Sequence, residues 1–253
     1  IEGIATAARP RSDKDIARAL LAKKEKDPNA TAIEVWDRFY FAGLVKKEDA
    51  QFDSEAVRPY FPYTAVKEGV FALYGELFGV TFERIPDAVA WSPKVEAWSM
   101  RRDKEELGRF WLDMHPRDDK FKHAAMFPIQ AGLSGDRAQM PWAALVCNFP
   151  EPGAGGDGDK ALMSHDDVVT FFHEFGHLVH HLSARGPTVK LAGDNEGDFI
   201  EAPSQLLEEW AWDPKVLARF AKNAAGKVLP ARTVDAMKKA EEFGKGVELA
   251  RQL

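Results

Sequence analysis

His173-Glu174-Phe175-Gly176-His177 places two imidazoles four residues apart, with a carboxylate beside the first. On an α-helix, residues i and i+4 share a face about one turn (~6 Å of rise) apart. Two imidazole nitrogens at that spacing can converge on one Zn2+ at about 2.0–2.1 Å. Glu174 then lies within reach of a metal-bound water, whose pKa zinc lowers toward ~7, and can take its proton. In a chain of this composition a chance HExxH is on the order of one in a hundred. The competing reading is a helix with two partly exposed histidines and a solvated glutamate.

An open hydrolytic zinc site needs a third protein ligand. Downstream runs Gly197-Asp-Phe-Ile-Glu-Ala-Pro-Ser-Gln-Leu-Leu-Glu-Glu-Trp210, in which Glu201 falls 24 residues after His177 and just before Pro203 opens a helix. A helix antiparallel to the first could bring Glu201 to the metal. Spacing alone leaves Glu196, Asp198, Glu201 and Glu208 open.

These residues must be carried by defined elements. Ser164 with Asp167 forms a capping-box pattern, and Val168, Val169, Phe172, Phe175, Val179 and Leu182 give an apolar face, so a helix is expected over 166–182, closed by Gly186-Pro187. Further helices are expected over 13–25 (capped from Ser12-Asp-Lys-Asp15), 31–44, 65–78 (stopped by Gly79), 203–210, 214–223 and 233–253. Between them, 80–85, 95–100, 108–113 and 142–147 are short and strand-like. The fold class is therefore mainly α with a small β-sheet (α+β): a helical part over 1–80, a sheet over 80–150 and a helical metal-site part over 160–253. The aromatics Trp36, Phe39, Tyr40, Phe41, Tyr60, Phe61 and Tyr63 are expected in the core. Gly153–Asp159 reads as a loop, without the Gly-Lys-Ser/Thr ending of a phosphate-binding one.

The 253 residues allow one large domain or two small ones, and 29% charged with 45% hydrophobic residues is ordinary globular composition. A net charge of −6 argues against a nucleic-acid or anionic-membrane partner. No stretch approaches the ~18–20 apolar residues of a membrane span. Cys147 is the single cysteine, so neither an intramolecular disulfide nor a cysteine zinc site forms. A cytoplasmic location is expected; oligomeric state is not encoded in any pattern seen.

His-Glu-Phe-Gly-His followed by Asp198-Phe-Ile-Glu-Ala-Pro-Ser-Gln-Leu-Leu-Glu-Glu-Trp210 resembles the M3 family of zinc oligopeptidases. Similarity extends upstream through Trp36-Asp37, Tyr60-Phe61-Pro62, Leu77-Phe-Gly-Val80, Gly108-Arg-Phe-Trp-Leu-Asp113, Pro116-Arg117, Lys122-His-Ala-Ala125 and Cys147-Asn-Phe149. The resemblance implies that His173, His177 and Glu201 hold one Zn2+ per chain and that Glu174 is the general base. It implies a zincin-type catalytic region in a largely helical ellipsoid whose deep channel admits short, unstructured peptides. Substrate backbone would lie along a sheet edge by β-augmentation.

Two departures bear on activity. The family supplies a His and Tyr pair from a loop well after the zinc site, whereas Tyr40, Tyr60, Tyr63 and Tyr74 all precede His173 and no histidine follows His181. The chain is therefore expected to be part of a longer protein. An oxyanion donor is worth ~3 kcal/mol or more, so the alternative reading is a catalytically silent peptide-binding piece of the same scaffold. Trp91-Ser92 also stands where the family often has Trp-His.

Among the neighbours, His180 is expected as a hydrogen-bonded wall residue and His181 as solvated. Asp198 is a candidate for fixing the outer nitrogen of a ligating histidine, with Gln205 a weaker one. His123 is either near substrate or an ordinary buried or edge histidine. Gly176, which costs a helix about 1 kcal/mol relative to Ala, is expected to let another element or substrate come close. Cys147 is expected in the core.

Overall fold

The computed structural model describes residues 2–153, 161–192 and 197–252. The Gly153–Asp159 loop, beyond Gly153 itself, and Glu196 lie outside the described residues. The chain divides into two compact units, 1–56 with 230–253, and 57–229.

The first unit is helical. Helix α1 (Glu2–Lys26) is longer than the expected 13–25 and runs through Pro10. Ser12 and Asp15 are therefore buried helix residues and not a cap. Asp15 Oδ2 instead accepts the Gly244 N–H at 3.0 Å. Helix α2 (Arg38–Asp49) begins seven residues later than expected. Phe41 and Val45, one turn apart, pack with Ala19 and Ala22 of α1. Trp36, Phe39 and Tyr40 are 79%, 77% and 55% exposed, contrary to the core expectation: Trp36 lies in the turn ahead of α2, and α2 turns its Phe41–Val45 stripe inward, leaving Phe39 and Tyr40 outside. The helix expected over 233–253 is two, α7 (Ala231–Glu241) and α8 (Lys245–Gln252), parted at Gly244, whose φ of 93° no helix continues.

The second unit carries the sheet. Helix α3 (Tyr63–Phe78) ends at Gly79 in the left-handed conformation. Strands β1 (Thr81–Arg84), β2 (Glu96–Arg102), β3 (Glu105–Asp113), β4 (Ala125–Gln130) and β5 (Trp142–Val146) form one sheet of order β1-β2-β3-β5-β4. Only β3 and β5 pair in parallel. β4 was not expected, and it is an edge strand, with β1 at the opposite edge.

Helix α4 (His165–Ser183) packs on one face of this sheet. Its Phe175 is the hub: Phe71 and Tyr74 of α3, Phe82 of β1, Phe110 of β3 and Phe171 of α4 lie 4.9–6.1 Å from it, centroid to centroid. The chain continues through α5 (Glu201–Glu208), a 3-10 turn over Glu209–Trp212, and α6 (Pro214–Phe220) capped by Asp213.

The C-terminal ends of the parallel pair are tied by charge. Asp113 accepts from Trp91 Nε1 (2.8 Å) and from both Arg117 terminal nitrogens (2.6 and 2.9 Å), and pairs with Lys120 Nζ at 3.0 Å. The buried Lys120 ammonium also donates to the carbonyls of Asp113, His115 and Cys147, spanning the ends of β3 and β5. Asn148 Nδ2 holds the carbonyls of Phe121 and His123, just ahead of β4. Cys147 is buried here, and burial pushes its thiol well above the usual range. Among the described residues no helix is long and apolar enough to cross a membrane.

Candidate metal centre

Ser164 and Asp167 close a full capping box: the Asp167 N–H donates to Ser164 Oγ and the Ser164 N–H to Asp167 Oδ2. The cap starts α4 at His165 and sets the phase that turns Phe171, Phe175 and Leu178 inward. His173 and His177 then fall together on a half-exposed face, their rings 4.7 Å apart and nearly perpendicular.

Gly176 lies on the side of α4 that meets α5. A Cβ there would come within 3.0 Å of Leu207 Cδ1 and 3.3 Å of Ser204 Cα. The missing side chain is what lets α5 approach, as the sequence led one to expect. α5 brings Glu201, at its first turn, over the two imidazoles.

Glu201 Oε2 is 3.1 Å from His173 Nε2 and 3.2 Å from His177 Nε2, and the two nitrogens are 3.1 Å apart. Among the described residues these three form the one group of His, Cys, Asp or Glu donors able to hold a metal ion. Tetrahedral bonds of about 2.0–2.1 Å put neighbouring ligand atoms roughly 3.3 Å apart, so the donor triangle fits a zinc-sized ion. The chemistry agrees. His173 Nδ1 lies 2.6 Å from Glu208 Oε1 and donates its proton there, which leaves a lone pair on Nε2 in the neutral ring. That lone pair facing a carboxylate oxygen at 3.1 Å is repulsive unless a cation or proton lies between them.

Two further contacts hold this geometry. Ser204, buried one turn after Glu201, donates to the Glu201 backbone carbonyl (2.9 Å), with its hydroxyl 3.2 Å from Glu201 Oε2. Tyr74 Oη donates to the Phe172 carbonyl at 2.6 Å, bracing α4 from α3. Glu208 raises the His173 imidazole above its usual range, against the opposing pull of burial.

Glu174 reaches the sheet, where Oε2 accepts the Met126 N–H of β4 at 2.9 Å. Burial pushes its carboxyl above the usual range, and the neighbouring imidazoles and the Met126 amide offset this only in part. A carboxylate so placed is a better proton acceptor than a solvated one.

Of the other sequence candidates, Asp198 is exposed, and the outer nitrogen of His173 is held by Glu208 instead. Gln205 lies on the exposed side of α5 and His123 is exposed beside Phe121. His181 is not solvated: it is buried and donates from Nε2 to the Gln130 carbonyl at 3.1 Å. In the sequence Glu208 stood only among the candidate ligands. Its spacing of seven from Glu201, two turns on one helix face, was the signal for a partner to the same pair of rings. The roles of Ser204 and of the Met126 amide carried no such signal.

A mainly helical α+β protein with a donor set on facing helices beside a sheet edge is the class this fold and site define. The profile of Peptidase family M3 matches residues 2–253, and the chain belongs to that family. It is 34% identical to thimet-like oligopeptidase of Dictyostelium discoideum over 86% of the chain and 33% of that protein. It is 33% identical to mitochondrial intermediate peptidase of Arabidopsis thaliana over 100% of the chain and 36% of that protein. Dipeptidyl carboxypeptidase of Escherichia coli is 35% identical over 99% of the chain and 37% of its own length. The chain thus spans about a third of the length of the curated relatives it matches.

Proposed function

We propose that this protein holds one Zn2+ per chain through His173, His177 and Glu201, in a zincin-type region, and hydrolyses peptide bonds of short, unstructured peptides with Glu174 as general base. The observation that carries the reading is the convergence of His173 Nε2, His177 Nε2 and Glu201 Oε2 within 3.2 Å of one another. The relatives' names, oligopeptidase and dipeptidyl carboxypeptidase among them, support the substrate class.

When bound, zinc supplies Lewis acidity, polarising a carbonyl and lowering the pKa of water toward about 7. The protein does the rest. Glu208 fixes the tautomer and plane of His173. Ser204 holds Glu201 at the head of α5. Glu174 takes a proton from the attacking water at its carboxylate as the water oxygen bonds to the scissile carbonyl carbon. It then gives that proton to the amide nitrogen as the C–N bond breaks, so the carboxylate is regenerated.

The test is elemental analysis of the protein and of His177→Ala, beside turnover of an internally quenched peptide by the protein and by Glu174→Gln. One zinc per chain, lost in His177→Ala, with turnover abolished in Glu174→Gln and its zinc kept, is expected. Turnover retained by Glu174→Gln, or zinc retained by His177→Ala, would sink the reading. Peptide binding without turnover would favour the silent scaffold.

A further inference from the structure

The free edge of β4 beside Glu174 has an uneven supply of hydrogen-bonding groups. Met126 turns its N–H away from β5, to Glu174 Oε2. In an antiparallel pair the outward-facing residues alternate, so Pro128, opposite Ala143, turns its backbone the same way. This is the one kind of strand position a proline tolerates, since it has no N–H for the ladder. The register shifts between Pro128 and Gln130, and the Gln130 carbonyl is capped by His181. Read along the edge, the outward groups are the Met126 N–H, engaged by Glu174, the carbonyls of Met126 and Pro128, and the capped carbonyl of Gln130. Phe127, Pro128 and Ile129 are exposed, so this stretch is open to an incoming chain. At Pro128 the edge offers an acceptor and no donor.

We propose that Pro128 sets the polarity of peptide recognition here: an extended peptide along β4 is held by its own N–H groups donating to the Met126 and Pro128 carbonyls, and its carbonyl facing residue 128 is left to water. This rests on the reading that β4 borders a peptide-hydrolysing centre. Peptides lacking an N–H at the register facing Pro128 are then poor ligands, whatever their side chains. A proline that merely protects the edge against pairing with other chains has no such consequence.

The test is calorimetric binding to the zinc-loaded protein of a hexapeptide with a reduced scissile bond, and of analogues in which one amide N–H at a time is replaced by an ester oxygen. The ester removes the donor and adds no bulk. One or two ester positions should weaken binding about tenfold, and the rest should change it little. Pro128→Ala, which restores an N–H, should tighten the parent peptide about three- to tenfold, the span of one net hydrogen bond. A flat ester scan on the unaltered protein overturns the proposal, and so does parent affinity that Pro128→Ala leaves unchanged or weakens. Turnover of the cleavable parent separates the two readings. Turnover with a flat scan retires the inference alone; neither binding nor turnover retires both.

Discussion

Glu208 Oε1 lies 2.6 Å from His173 Nδ1, on the opposite side of the imidazole from the nitrogen that faces Glu201. One helix thus grips the ring at both of its nitrogens, through carboxylates seven residues apart. Removing the outer one frees the ring to rotate and to exchange tautomers. Glu208→Ala is expected to lower zinc affinity about 10–100-fold, with Glu208→Gln intermediate because its amide oxygen still accepts. Competition with a chromogenic chelator measures this. Affinity unchanged in Glu208→Ala would show that the contact orients nothing.

Gly176 controls how closely α5 approaches. A Cβ at 3.3 Å from Ser204 Cα presses on backbone, which yields less readily than the tip of Leu207. Gly176→Val should destabilise the fold by about 1–3 kcal/mol through overpacking, and it should also weaken zinc binding, because Glu201 and Ser204 ride on the displaced helix. Thermal melts of the apo and zinc-loaded forms separate the two effects. A variant as stable as the parent, with undiminished affinity, would exclude this role.

The helix that carries the candidate donors was legible because its signals are local: a Ser164–Asp167 cap, an apolar face of period 3.6 and two histidines one turn apart. β4 was hidden by Pro128, since a proline argues against a strand unless the strand is an edge, and edges are a property of the assembled sheet. His181 continues the face of His173 and His177 in sequence, yet only the position of Gln130 decides that it is buried. Asp15 looked like a cap because its partner, Gly244, is 229 residues away. Phe39 and Tyr40 were misplaced by composition, which cannot tell which side of α2 turns inward, and Trp36 because α2 starts only after it.

Asp113 gives the acid stability of the second unit a specific source. Burial opposes its charge, but donation from Arg117, Trp91 and Lys120 prevails and holds its pKa below the usual carboxylate range. A depressed folded-state pKa contributes stability that is fully present above the unfolded value of about 3.9 and is lost as pH falls through the folded value. Stability should therefore decline below about pH 4. Asp113→Asn should cost about 3–5 kcal/mol near neutrality, because it strands the buried Lys120 ammonium, and should flatten the acid limb. Urea melts from pH 3 to 7 test this; parallel pH profiles for the two proteins would refute it.

His181 shares a helix face with the two candidate ligands but points its Nε2–H at the Gln130 carbonyl, 3.1 Å away on the edge strand. Together with the Glu174–Met126 contact, this fastens β4 to α4 at two places two helical turns apart. His181→Leu keeps an apolar side chain in the buried site and removes the donor. The Gln130 carbonyl can then turn to water at the exposed edge, so the loss should be near that of one net hydrogen bond, about 0.5–1.5 kcal/mol. Zinc content should stay at that of the parent, since the donor triangle does not include this ring. Loss of zinc in His181→Leu with the fold intact by circular dichroism would assign His181 to the metal after all.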